Sequence, residues 1–107
     1  MIGDSSILYL GENVAAGAAV ITTFSLAAKR WQAEEKWWDH DIMEAVDSPR
    51  KRNSDCFHFT QNMWKSTRQV CFAKSRSKSN IVYITARFWP RGNIAHQWRE
   101  NLLPPLE

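Results

Sequence analysis

Residues Ile7 to Ala28 read ILYLGENVAAGAAVITTFSLAA, and the part from Val14 to Ala28 holds fifteen residues without a charged side chain. That part alone is too short to cross a bilayer, which takes about 20 predominantly apolar residues. A crossing therefore has to recruit Leu8 to Leu10 and tolerate Glu12 and Asn13 near one end. Placed on a helix, the stretch has two unlike faces. Gly11, Ala15, Ala19, Thr23 and Ala27 fall in one row at spacing four, while Val14, Val20, Ile21 and Phe24 lie largely opposite. Small residues in such a row let a second helix backbone approach closely, which is the usual basis of helix association in lipid. The expectation is a transmembrane helix over residues 7–28 behind a short lead at 1–6. The competing expectation is an Ala-rich helix buried in a bundle of aqueous protein.

The flanks favour the membrane. Lys29, Arg30 and Trp31 follow the apolar run directly, and Lys36, Trp37 and Trp38 come soon after. Cations suit the C-terminal end of a helix and reach lipid phosphates, and Trp settles at the interface, so Lys29, Arg30, Trp31, Trp37 and Trp38 are the expected interface anchors. No Lys or Arg lies in the first 28 residues. The positive-inside rule then puts the C-terminal side in the cytoplasm or the mitochondrial matrix. For the same reason the start has neither the basic region of a signal peptide nor the arginines of a transit peptide. Neither Gly nor Pro interrupts residues 18–48, so the helix continues as an amphipathic segment over residues 29–48 and stops at Ser48-Pro49. The fold expected is mainly α.

Charge divides the remainder. Residues 34–47 carry six acids against Lys36, and residues 50–99 carry eleven Lys and Arg against Asp55 alone, within a net charge of only +3. Residues 49–107 read as an extended basic tail. IVYITARF at 81–88 alternates as a short strand should, Pro90-Arg91-Gly92 turns, and Ile94, Trp98 and Leu102 stack on a short C-terminal helix before Pro104-Pro105. Three Trp and four Phe in residues 49–107 supply more apolar surface than so short a tail can bury alone, so Trp64, Phe88, Trp89 and Trp98 are expected to pack on partner subunits.

Few residues offer chemistry. Cys56, His58, Cys71 and His96 lack the close pairs of structural zinc sites. Asp39, His40 and Asp41 with Glu35 and Glu44 read as a solvated acidic face, and Glu12 as an end-of-helix carboxylate. A phosphate-binding glycine loop, a nucleophile elbow and redox-spaced cysteines are all missing. The expectation is no catalytic residue, no cofactor-binding residue, no metal ligand and no enzymatic activity. Basic and aromatic residues interleaved from Phe57 to Trp98 support a second class, a basic component of a ribonucleoprotein.

In organisation, chiefly over residues 7–38, the chain resembles the small single-pass accessory subunits of mitochondrial inner-membrane complexes. The resemblance implies a non-catalytic scaffold of a respiratory complex or ATP synthase, with other subunits and membrane lipid as partners and no nucleic acid. It also implies an N-terminus in the intermembrane space, a tail in the matrix, and a structural phospholipid such as cardiolipin held through Lys29, Arg30 and the nearby Trp residues.

Overall fold

The computed structural model describes residues 10–104, so the residues of the expected lead, together with Ile7 to Tyr9 and Pro105, lie outside the described part. Within it, the stretch expected to be one helix is a strand, a turn and a helix. β1 runs Gly11–Ala18, and Ala18 O then accepts from Thr22 N at 3.0 Å in the turn. α1 runs Phe24–Gln32, with Thr23 Oγ1 accepting from Leu26 N at its start. Among the described residues no helix is long and apolar enough to cross a membrane. This corrects the mainly α, membrane-spanning expectation: the chain is α/β.

The physical reason lies in β5, Ile81–Trp89. Its alternation is steep, with Val82, Ile84, Ala86 and Phe88 buried and Tyr83, Arg87 and Trp89 exposed. Such a strand needs neighbours, and it takes one on each side. β1 pairs with it antiparallel from Gly11↔Phe88 to Ala18↔Ile81, and β4, Gln69–Arg76, pairs antiparallel from Gln69↔Trp89 to Arg76↔Val82. The segment expected to be a tail is therefore the centre of the sheet. Gly11 and Gly17 weaken a helix at these positions, and tertiary pairing decides the rest.

α1 lies across the inner face of β1 and β5. Ala15, Ala27, Trp31, Val82, Ile84, Ala86 and Phe88 form one core, with Ala19 packed against it. Of the small-residue row, Ala15 and Ala27 lie in this core and Ala19 packs against it. A second core gathers Trp38, Cys56, Phe59, Trp64 and Leu102 under Trp98 and Ile94. Its elements are short: 3-10 helices Ala33–Trp37 and Asn53–Cys56, a hairpin of β2 (Trp38–Asp39) and β3 (Glu44–Ala45), α2 (Phe57–Met63) and α3 (Trp98–Asn101).

Gln61 is buried where the two cores meet. Its Oε1 accepts from Gly92 N at 2.8 Å and its Nε2 donates to Thr67 Oγ1 at 3.2 Å. A Cβ on Gly92 would stand 2.8 Å from both Gln61 Nε2 and Trp64 Cγ, so only glycine fits. Gly92→Ala should cost about 1–3 kcal/mol by overpacking, read as a lower urea midpoint. An unchanged midpoint would show that the Trp64 ring yields.

Candidate functional site

Glu34 leaves the 3-10 helix that follows α1 and reaches the first turn of α2. Its Oε1 accepts from His58 N and Phe59 N, each at 3.0 Å, and its Oε2 lies 2.7 Å from His58 Nδ1. α2 has no side-chain cap of its own at Cys56. Glu34 supplies one from a distant element, and a carboxylate at a helix N-terminus also suits the dipole. An ionised carboxylate can only accept, so Nδ1 donates and Nε2 is left as the free nitrogen of the ring.

Two further contacts hold His58, one on its ring and one on its backbone. Trp31 stacks on it, with centroids 6.1 Å apart and planes inclined by 24°. Asn13, buried on β1, donates through Nδ2 to His58 O at 3.1 Å and to Asn62 Oδ1 at 3.0 Å. The His58 side chain remains 39% exposed against 14% for Glu34, so the ring opens to solvent while its partner does not. β1, α1, the 3-10 helix and α2 all meet here.

Cys56 lies behind this pair. Its Sγ donates to Glu34 O at 3.5 Å, and burial, with the charges of Glu34 and Asp55 adding to it, pushes the thiol up to about 11. Since the ordinary value is 9.0, the folded chain holds its proton more tightly than the unfolded chain, and this stabilisation, full below pH 9, is lost as pH rises towards 11. Cys71 is free and exposed. Iodoacetamide at pH 8 should therefore label Cys71 alone in the folded chain, and both thiols only in urea, read by intact mass. Equal labelling without denaturant would contradict the buried thiol.

The expected site residues have other duties. Trp31 and Trp38 are buried, one in each core, while Trp37 is half-buried under Lys36 Nζ at 4.6 Å. Lys29 and Arg30 are exposed on α1, and Arg30 Nη1 donates to Ala16 O. Of the expected packing row, Gly11 abuts Gln61 and Thr23 caps α1. Trp64 and Phe88 are buried within this chain and Trp98 stacks among Trp38, Phe57 and Trp64, whereas Trp89 is 52% exposed. Glu12 faces out on β1, its Oε2 3.0 Å from Arg87 Nε. Among the described residues no three His, Cys, Asp or Glu side chains converge as a metal site would require. Glu34 and His58 are paired by no motif in the sequence.

No family model matches the chain. Its curated relatives, however, are pathogenesis-related proteins of type 1. It is 32% identical over 83 residues to pathogenesis-related protein 1A1 of Solanum lycopersicum, covering 78% of this chain and 44% of that protein. It is 28% identical over 100 residues to the basic form of pathogenesis-related protein 1 of Nicotiana tabacum, covering 90% and 52%. The fold is that of venom allergen-like protein 4 of Schistosoma mansoni, with a TM-score of 0.61 at 22% identity over 87% of this chain and 51% of that one. The chain thus spans about half the length of the curated relatives it matches. These relatives overturn the accessory-subunit resemblance, and with it the respiratory-complex partners and the inner-membrane placement; they give the ribonucleoprotein alternative no support either.

Proposed function

We propose that this chain is a binding module of the pathogenesis-related type 1 kind, which offers His58 Nε2 to a ligand and catalyses no covalent step. The observation that carries this is the closed bonding of Glu34. Both its oxygens are occupied by N–H groups of α2, so it caps a helix and holds an imidazole and is not a free base. Among the described residues no nucleophile is placed for the dyad to activate. Cys56 keeps its proton and points at Glu34 O, and among the described residues no hydroxyl is hydrogen-bonded to His58. The names of the relatives support a role in the response to pathogens.

Two measurements test this. In the source organism the protein should rise several-fold on pathogen challenge, and a level that stays flat overturns the response role. The purified chain should turn over no ester, peptide or phosphodiester substrate in a manner that His58→Gln removes. Any turnover lost with His58 would make the dyad catalytic.

A further inference from the structure

β4 ends the sheet on one side. The strand order is β1-β5-β4, and all eight residues of β4 are exposed. Antiparallel pairs alternate between bonded and non-bonded positions. Ser77 N donates to Ile81 O at 2.8 Å next to the hairpin turn, so with the observed register Ser75, Ala73, Cys71 and Gln69 turn their amides towards β5. Val70, Phe72, Lys74 and Arg76 then turn theirs outward, where among the described residues no strand meets them. Free main-chain donors and acceptors in a row are a template for another strand.

Side chains state what kind of strand. Lys65, Arg68, Lys74, Arg76 and Lys78 flank or lie on β4, and no Asp or Glu occurs between Asp55 and Glu100. Between these cations the edge is apolar: Val70 and Phe72 are 47% and 54% exposed, and Phe24 meets Phe72 edge-on at 6.1 Å. On the same strand a cavity of about 1030 Å³ opens between Leu10, Val70, Arg87 and Trp89. A second copy of this chain fits poorly. Pairing β4 with itself so that both sheets keep their faces aligned, about Cys71 or about Phe72, sets Arg68 opposite Lys74 or Arg76, and like charges directly opposite repel.

We propose that the open edge of β4 binds an extended acidic peptide, added antiparallel or parallel as a fourth strand. Its main chain bonds to Val70, Phe72, Lys74 and Arg76, its carboxylates meet the flanking cations, and its apolar side chains lie against Val70 and Phe72, which share one face of the strand. The site shares no residue with the Glu34–His58 pair, so it stands whether or not that pair binds a ligand.

The test uses the full chain and a fluorescent ten-residue peptide alternating Asp or Glu with Val or Ile, followed by anisotropy. Three comparisons are made: the same peptide N-methylated at its four central amides, the same peptide with Lys for every acid, and a single-stranded oligonucleotide of equal charge. N-methylation should weaken binding about tenfold or more, since it removes strand bonds and leaves charge intact. Lys replacement should abolish binding. Phe72→Pro and Phe72→Ala both remove the ring, and Pro alone also deletes an outward N–H, so Phe72→Pro should weaken binding more than Phe72→Ala does. If Phe72→Pro fails to fold by circular dichroism, the N-methylated peptide decides alone. Equal binding of the methylated peptide, displacement by the oligonucleotide at equal concentration, or no binding of the acidic peptide each overturns the proposal.

Discussion

Glu34→Ala is expected to lower the unfolding free energy by about 3 kcal/mol and the melting temperature by about 15 °C, because one carboxylate serves three donors at the start of α2. Two are the amides of His58 and Phe59, which no residue of α2 itself can satisfy. Each loses a charge-assisted cap worth about 1 kcal/mol or more. The third is His58 Nδ1, partly exposed, so its share is discounted for solvent and falls below about 1 kcal/mol. Glu34→Gln separates these parts. Its amide oxygen can still accept from both backbone groups, so it should retain more than half of the stability that alanine forfeits. Thermal melts followed by circular dichroism read both. A Glu34→Ala melt coincident with that of the unaltered chain would show that water caps α2 as well as the carboxylate does.

That cap also explains why the site was not legible in the sequence. Glu34 and His58 are 24 residues apart and come from different elements. Nothing local marks them, since Glu34 reads as one acid among six in residues 34–47 and His58 as one half of a failed zinc pattern. The strand at 81–88 was legible because a period of two in β-branched and aromatic residues is a strong local signal. A steep strand demands partners, and here they are QVCFAKSR and GENVAAGA, the second lying inside the expected membrane helix. Ala and Gly there are poor strand formers, yet small side chains on β1 are what allow α1 to settle on the sheet with Ala27 fully buried. Three of those small residues, Ala15, Ala19 and Ala27, therefore pack between α1 and the sheet. Thr22 and Thr23 mark the break in that stretch. In a membrane helix these are tolerable, but here they turn the chain and cap α1.

The sharpest contrast between the two architectures falls on tryptophans. In a lipid-anchored chain Trp31 would sit at an interface and its loss would leave the fold of the remainder intact. In this structure Trp31 is 4% exposed, wedged among Ala15, Ala27 and the inner face of β5, and stacked on His58. Trp31→Ala should therefore cost about 3–5 kcal/mol, enough to leave a domain of this size partly unfolded at 25 °C. It should also free the His58 ring, so that where folded chain persists the His58 Nε2 and Cε1 resonances broaden. Trp89→Ala is the control, since that ring is 52% exposed on β5 and its removal should cost less than about 1 kcal/mol. Urea melts of the two variants decide it. If Trp89→Ala proves the more damaging, the burial of α1 on the sheet is not what holds this chain together.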